Sequence, residues 1–314
     1  MSVVHQTGRK NAFWARTWRS VCQNKAIYLF VAISLVWYLV FCYGPMYGLT
    51  LAFKDFNARK GILHSDFVGL KHYRELFENR EFYTAFLNTV VISLERILFE
   101  FPMPILIALL LNELKPGRYK KTLQTVFTFP YFLSWVVVGS IVLNMLGNDG
   151  IVNNLIYLAG GEKQQFLANK TLFRPILYIS SIWKSAGWTS IIYLASISGV
   201  SPELYEAAMI DGANRLQRMV HVTLPCIRST IVVMLLLAVG NTMNAGFDQI
   251  FNMYNPTLQP VADILDTYIY RVTFQTSGDF GFSTAVGLFK SVINFALLFL
   301  FDRIAKLLGE DGIF

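Results

Sequence analysis

Two long apolar segments of the chain are joined by the polar stretch SPELYEAAMIDGA (residues 201–213), and the motif VTLP (222–225) follows nine residues after the stretch's glycine. The first part of this stretch favours a short helix. Ser201 suits the N-cap, Pro202 suits the first turn, and Glu203 lies near the positive end of the helix dipole. Gly212 permits the positive φ at which such a helix stops. The stretch therefore predicts a short helix that ends abruptly between two apolar regions.

A second short helix is predicted directly after that stop. It contains Arg215 and Arg218, and Leu224-Pro225 begins the next apolar segment. The two helices together predict a helix-turn-helix projection, which we call the knuckle (residues 201–225).

The composition is typical of an integral membrane protein. Of the 314 residues 54% are hydrophobic and 15% are charged, whereas a soluble domain has about 25% charged residues. The net charge of +7 forms no like-charge block of the kind that binds nucleic acid, and its surplus lies on one side of the predicted membrane. The three cysteines and four histidines are scattered, so no metal site or cofactor is predicted.

Six apolar segments are long enough to cross about 30 Å of hydrocarbon, which takes roughly 20 helical residues. They lie near residues 26–49, 84–112, 122–146, 174–199, 226–248 and 281–306. An even number of spans places both termini on the same side. The predicted fold class is an all-α polytopic membrane protein with six transmembrane helices. Its transmembrane domain (26–314) follows a short cytoplasmic N-terminal segment (1–25).

The N-terminal segment determines the predicted orientation. It contains five basic residues and no acidic one, so the positive-inside rule places it in the cytoplasm. Phe13, Trp14 and Trp18 interleave with Arg16 and Arg19, which predicts an amphipathic helix at the membrane surface. A cleaved signal peptide is not predicted, because the following apolar run is too long. The knuckle is then cytoplasmic as well.

The knuckle contains the pattern Glu-Ala-Ala, three residues, Gly, nine residues, Val-x-Leu-Pro. This pattern resembles the EAA loop of ABC importer permeases, the cytoplasmic segment that docks on an ATPase subunit. It departs from the family at Val222, where isoleucine is usual. The resemblance implies the type I ABC importer permease fold and a set of residues that couple to the ATPase. They are Glu203, Glu206, Ala207, Ala208, Asp211, Gly212, Arg218, Leu224 and Pro225.

Other stretches narrow the resemblance to one subgroup. YGPMYG (43–48), AFKDF (52–56) and FVGL (67–70) look like the oligosaccharide and polysaccharide permeases. The knuckle's EAAMIDGA (206–213) is similar to the sugar-permease version of the loop. The resemblance implies a multi-pass protein of a bacterial plasma (inner) membrane that translocates an oligosaccharide.

The chain contains no phosphate-binding loop of the form Gly-x4-Gly-Lys-Ser/Thr. It is therefore not predicted to be an enzyme that hydrolyses ATP. The family resemblance implies that two separate ATPase subunits bind ATP and Mg²⁺. It also implies a heterodimer with a second permease, an extracytoplasmic solute-binding protein that delivers the oligosaccharide, and an alternating-access mechanism.

Polar side chains inside apolar spans are costly and are therefore candidates for the transport path. Two sets occur at helical spacing. They are Ser181, Lys184, Ser185 and Trp188 in the fourth span and Asn241, Asn244 and Asp248 in the fifth. Amides and hydroxyls suit sugar hydroxyls, and aromatic faces suit the C–H side of a sugar ring. Hydrogen bonding between helices is the alternative explanation of the same residues.

Two further charged groups lie in predicted spans. Arg96 and Glu100 are four residues apart and are predicted to pair, whereas the neighbouring Glu95 points elsewhere. The pair suits a buried bridge or a contact with a second permease better than a substrate contact. Lys290 and Asn294 share one face of the last span, and a pairing across the subunit interface is predicted for them.

Other functional classes remain open at this stage. A permease for peptides or amino acids would have the same fold. An ion-coupled carrier would need a mid-membrane acid, such as Glu95 or Glu100, and inverted repeats, which are not evident. A membrane enzyme has no supporting nucleophile–base or metal pattern.

Overall fold

The computed structural model of the protein describes residues 23–276, 278–307, 309 and 312. The described residues form two compact units, which divide between Gly69 and Leu70. Almost all of the predicted amphipathic N-terminal segment (1–25) lies outside the described residues and stays a prediction.

The first unit consists of one long helical stretch and a small pair of strands. Helix α1 (Lys25–Tyr38) continues through a π-helical turn (Leu39–Tyr43) and a 3-10 stretch (Gly44–Phe53). Strands β1 (Lys54–Asp55) and β2 (Asp66–Phe67) pair antiparallel, with Lys54 opposite Phe67, and α2 (Gly61–His64) lies between them in the chain. Every residue of α1 is exposed and most are apolar, as expected of a helix that meets lipid or another subunit.

The second unit is built of helices joined by turns. Up to the knuckle they are α3 (Lys71–Glu78), α4 (Arg80–Phe99), α5 (Pro102–Asn112), α6 (Arg118–Thr128), α7 (Trp135–Leu146), α8 (Ile151–Leu158) and α9 (Lys170–Ser198). From the knuckle onward they are α10 (Pro202–Ile210), α11 (Arg215–Arg218), α12 (Leu224–Cys226), α13 (Arg228–Gly240), α14 (Phe247–Met253), α15 (Gln259–Ala262), α16 (Leu265–Phe274) and α17 (Phe280–Leu307).

Three helical stretches among the described residues are long and apolar enough to cross a membrane. They are Lys25–Phe53, Trp135–Leu158 and Phe280–Leu307, and a fourth is added if Arg215–Cys226 and Arg228–Gly240, bent by 67°, form one span. The predicted span 84–112 is divided between α4 and α5, directly before Pro102 and Pro104, which cannot donate backbone hydrogen bonds. The fold is that of a mostly helical membrane protein, and the number of six spans stays a prediction.

Helix α9 lies at the centre of the second unit. Leu177 of α9 belongs to a buried apolar cluster with Ile92 of α4 and Ile250 of α14. Further along α9, Tyr193 packs in another cluster with Ala108 of α5. Because both clusters include α9, this helix sets the positions of α4, α5 and α14 around the cavities described below.

Candidate functional site

The first helix of the knuckle, α10, begins and ends at the predicted residues. Ser201 is the N-cap residue, although its hydroxyl makes no capping bond to α10. Gly212 has a φ of 79°, and its N–H donates to the Met209 carbonyl at 3.1 Å. The N–H of Ala213 donates to the Ala208 carbonyl at 2.9 Å. These two bonds form a Schellman motif, in which glycine reverses the chain after the last helical turn.

The second half of the knuckle is fastened to the first. Asn214 and Gln217 exchange side-chain and backbone bonds of 2.8 and 2.9 Å at the start of α11, which forms a capping box. The chain then passes through a π-helical turn (Met219–Thr223) into α12. The Tyr205 hydroxyl of α10 lies 3.0 Å from the hydroxyl of Thr223, which is buried. This hydrogen bond holds the two halves of the knuckle in one arrangement.

The knuckle presents large apolar side chains to the outside. Ile210 is 86% exposed and Leu216 is 66% exposed. Exposed apolar groups among charged ones are typical of a protein-binding surface. Of the predicted coupling residues, Glu203, Glu206, Ala207, Asp211, Gly212 and Pro225 are exposed, and Ala208, Arg218 and Leu224 are half-buried.

A cavity of about 550 Å³ lies among α4, α9 and the end of α13. We call it the central cavity. Its volume is within the range of about 300–1,000 Å³ that is usual for small-molecule sites. The structure brings members of both predicted sets of polar residues to its wall, from α9 and from the turn that follows α13. Its lining includes Ser181, Ser185, Asn241 and Asn244.

The fifth predicted span is interrupted at this cavity. Asn241 follows the last residue of α13, and residues 242–244 form a 3-10 turn. Ala245 and Gly246 then have φ values of 41° and 83°, so the chain changes direction before α14. The single helical stripe predicted for Asn241, Asn244 and Asp248 does not exist for this reason. Asp248 lines two neighbouring cavities instead.

Arg96 is at the centre of a partly buried polar network in the wall of the central cavity. Its Nη1 donates to Glu100 at 3.0 Å, which confirms the predicted pair, and its Nη2 donates to Gln249 at 2.5 Å. Ser181 donates to the other oxygen of Glu100 at 2.7 Å. A Cβ atom at Gly246 would come within 2.5 Å of Arg96 Nη2. The network therefore connects α4, α9 and α14 and leaves no room for a side chain at position 246 unless Arg96 moves.

Gln249 is not among the residues predicted from the sequence. It is completely buried, and its Nε2 donates to the Leu177 carbonyl at 2.8 Å and to Ser180 at 2.9 Å. The sequence offers one signal, an amide next to Asp248 in the otherwise apolar stretch FDQIF (247–251). A buried amide needs partners, but the sequence does not indicate that one of them is an arginine on α4.

Two further, more open cavities continue from the central cavity, each sharing wall residues with the one before it. A cavity of about 560 Å³ shares Asn244 and Gly246 with it and also contains Asp248 and Trp135. A third cavity, of about 370 Å³, shares Asp248 and Trp135 with the second and contains Lys184. All the predicted path residues except Trp188 thus line one series of three cavities.

Trp188 belongs to an exposed aromatic surface. Its ring stacks on that of Tyr131, with centroids 4.8 Å apart and planes 7° from parallel, and Phe132 meets it edge-on at 5.5 Å. Tyr131 and Trp188 are each 40% exposed, and Phe132 is 69% exposed. Rings presented in this way offer flat apolar faces to a ligand or to another helix.

Ion pairs stabilise the segment around α16. Arg271 donates to Asp263 at 2.6 Å and to Glu81 at 2.8 Å. Burial alone lowers the pKa of Arg271, but the bonds to the two carboxylates outweigh it and raise the pKa, so the guanidinium stays charged. Lys290, which was predicted to pair across a subunit interface, instead donates to Asp266 of its own chain at 2.6 Å.

No cluster of three or more histidine, cysteine, aspartate or glutamate side chains that suits a metal ion occurs in the described part of the chain.

Residues 102–309 match the family of binding-protein-dependent transport system inner membrane components. The chain belongs to this family. It is 45% identical over 293 residues to the polygalacturonan/rhamnogalacturonan transport system permease protein YteP of Bacillus subtilis, covering 93% of this chain and 91% of that protein. It is 42% identical to protein LplB of the same organism, covering 93% and 92% of the two chains.

Two solved structures have the same fold. A chain of a bacterial alginate ABC transporter in complex with an alginate pentasaccharide-bound periplasmic protein matches with a TM-score of 0.87 and 36% identity, over 95% of this chain and all of that one. A chain of a bacterial ABC transporter involved in the import of the acidic polysaccharide alginate matches with a TM-score of 0.86 and 37% identity, over 93% and 98% of the two chains.

Membership in the family identifies the chain as the membrane-embedded permease of an ABC importer. This confirms the predicted transporter class, in preference to an ion-coupled carrier. ATP hydrolysis belongs to a separate subunit, so the chain is not an enzyme. The family also implies an inner-membrane, multi-pass protein that works with a second permease, an ATPase and a solute-binding protein.

Proposed function

We propose that this permease translocates an oligosaccharide delivered by an extracytoplasmic solute-binding protein. The observation that supports it most directly is the series of three cavities, which contains amides, hydroxyls, a carboxylate and the indole of Trp135. Sugars need this mixture, because each ring has hydroxyls around its edge and C–H groups on its faces. The relatives named for polygalacturonan, rhamnogalacturonan and alginate transport support the same substrate class.

We further propose six spans with both termini in the cytoplasm. The spans are α1 with its 3-10 extension, α4–α5, α6–α7, α9, α12–α13 and α17. This arrangement places the knuckle and the basic loop around residues 115–121 on the cytoplasmic side, as the positive-inside rule requires.

The knuckle is proposed to dock on one of two ATPase subunits. Its exposed Ile210 and Leu216 supply apolar contact area, and Glu203 and Glu206 supply charge at the rim. When ATP closes the ATPase pair, a knuckle held together by the Tyr205–Thr223 bond transmits the movement to α12 and α13. The cavities then open alternately to the two sides of the membrane.

The first test is purification of the tagged chain from its native membranes, followed by mass spectrometry of the proteins bound to it. A second permease and a P-loop ATPase are expected with the native chain, and the ATPase is expected to be lost from Gly212→Asp. Reconstitution with the solute-binding protein then tests the substrate: ATP-dependent uptake of labelled oligosaccharides is expected. Uptake of peptides in preference to any saccharide would refute the proposal.

A further inference from the structure

Lys184 is a buried cation on α9, and only 8% of its surface is exposed. Its Nζ donates a hydrogen bond of 2.7 Å to the backbone carbonyl of Tyr131. It also lies 5.1 Å from the centre of the Tyr131 ring and 5.4 Å from that of Trp135. The ammonium group is thus held in one place by α9 and by the turn between α6 and α7.

The charge of Lys184 lacks the carboxylate partner that each of three partly buried cations elsewhere in the protein has. Arg96 lies 3.0 Å from Glu100, Arg271 lies 2.6 Å from Asp263, and Lys290 lies 2.6 Å from Asp266. Within residues 23–276 and 278–307, no carboxylate oxygen lies within 4.0 Å of Lys184 Nζ. A buried charge is costly unless an opposite charge or several hydrogen bonds compensate it. Lysine has three donors, and the Tyr131 carbonyl uses one.

The space beside Lys184 suits a ligand with both acidic and neutral oxygens. Lys184 lines the third cavity together with Asp248, Asn252, Ser134 and Trp135. Asp248 is the acidic residue in that wall, yet it forms no ion pair with Lys184. One sugar unit that has a carboxylate and hydroxyls can satisfy both groups, because the carboxylate accepts from Lys184 and a hydroxyl donates to Asp248.

We propose that Lys184 binds the carboxylate of a uronic-acid unit, and that the substrates of this permease are acidic oligosaccharides. The inference rests on the proposed function and specifies its substrate class. The third cavity joins the central one through walls that contain Asp248, Trp135, Asn244 and Gly246. Lys184 therefore selects the acidic unit at one end of this series, and the amides and hydroxyls of the central cavity receive the hydroxyls of the rest.

The experiment compares two trisaccharides in proteoliposomes that contain the complete transporter and its binding protein. One is a tri-galacturonate, and the other is its carboxyl-reduced, neutral counterpart. The native protein is expected to take up the acidic trisaccharide in preference. Lys184→Met is expected to lower uptake of the acidic trisaccharide about tenfold or more, since a buried charged hydrogen bond is lost, and to lower uptake of the neutral one far less. Lys184→Arg is expected to retain the acidic preference.

A matched variant distinguishes loss of selectivity for the acidic trisaccharide from a general loss of transport. Asp248→Asn keeps the shape of the third cavity but replaces one of two acceptor oxygens with a donating NH2 group, which weakens bonds from hydroxyls that both trisaccharides have, so it should lower both rates to a similar extent. Equal loss of both substrates in Lys184→Met would overturn the inference, because it would indicate a structural role. Competition between the two trisaccharides on the native protein provides a test that depends on no variant.

Failure of the inference and failure of the proposed function give different results. Uptake of the neutral trisaccharide as fast as the acidic one would refute the acidic substrate class while leaving an oligosaccharide permease in place. ATP-dependent uptake of peptides or amino acids, with neither trisaccharide transported, would refute both.

Discussion

The knuckle is stabilised by contacts between residues that are close together in the chain. The wall of the central cavity is also stabilised by contacts between residues that are far apart in the chain. In the knuckle, Gly212 bonds Met209 and Asn214 bonds Gln217, only three residues away in each case. At the cavity, Arg96 bonds Gln249, 153 residues further along the chain. The knuckle is also largely exposed, whereas Gln249 is completely buried.

This difference predicts how each region responds to mutation. A change on the exposed knuckle alters a docking surface and leaves the packed core intact, so it should stop transport without unfolding the protein. A change in the cavity network removes partners from buried polar groups, so it should lower both stability and transport. The four predictions below test this separation, beginning with the largest effect.

Gly212→Asp should abolish ATP-dependent uptake and uncouple ATP hydrolysis while the chain remains in the membrane. The substitution places a charged side chain at a φ of 79° on the docking surface, a backbone conformation that side chains adopt at a cost. Uptake and ATPase activity of reconstituted transporter measure the effect, and normal uptake would contradict the coupling role.

The matched control for that variant is Gly160→Asp. Gly160 has a φ of 85° and ends α8 with the same two Schellman bonds, from Gly160 to Tyr157 at 3.0 Å and from Gly161 to Ile156 at 2.9 Å. An added Cβ meets nothing within 4 Å at either glycine. Uptake by Gly160→Asp should persist, because it lies on the predicted external side. If both variants lost uptake equally, backbone strain alone would explain the effect.

Gly246→Ala should lower both thermal stability and uptake. The new methyl group would meet Arg96 Nη2 at 2.5 Å, and alanine is strained at a φ of 83°; together these effects are expected to cost about 1–3 kcal/mol. Thermal unfolding of the purified transporter and uptake by vesicles measure the two losses. Gly287→Ala in α17, where a Cβ meets nothing within 4 Å, should unfold at the native temperature or above it, because alanine favours a helix more than glycine does.

Gln249→Leu should destabilise the protein by about 1–3 kcal/mol, because Arg96 and the Leu177 carbonyl each lose a buried partner. Thermal or denaturant unfolding in detergent measures this loss. Asn144→Leu is the control, since Asn144 is exposed and bonds only the Ser140 carbonyl one turn away on α7. If both variants unfold like the native protein, the network does not stabilise the fold.

Tyr205→Phe should produce the smallest effect. It removes the hydroxyl bond to Thr223, so uptake per ATP hydrolysed is expected to fall about two- to tenfold, as a bond of 0.5–1.5 kcal/mol implies. Thr223→Val should give the same loss, and the double variant should lose no more than either single one. Tyr119→Phe, at a ring that is 69% exposed, should couple normally.

Local residue chemistry made parts of this molecule predictable. The knuckle's first helix, its stop at Gly212 and the second helix with Arg215 and Arg218 occur as predicted. The pairing of Arg96 with Glu100 is also predictable, because residues four apart meet on one helix face. Each of these features depends on residues within one or two helical turns.

Other features could not be predicted from spacing. The helix break between Gly240 and Gly246 includes Ala245 in a left-handed conformation that is uncommon for alanine, so the residue types around the break do not fix where the chain turns. Lys290 is close to Asp266 because α16 packs beside α17. The spacing of residues along α17 alone does not indicate that Lys290 pairs with a residue of α16. The division of the predicted span 84–112 could be predicted only in part. Its two prolines can be read in the sequence, but whether they break the helix depends on packing.

The sequence by itself determined the membrane character, the apolar segments, the knuckle and the family, because hydropathy, capping and motif spacing are local properties. The tertiary structure decided which polar side chains meet: it joined Ser181, Ser185, Asn241 and Asn244 at one cavity and directed Asp248 and Lys184 to another. Such meetings depend on how α4, α9 and α14 pack. Helix packing is set by the sum of many weak contacts between distant residues, which no single stretch of sequence contains.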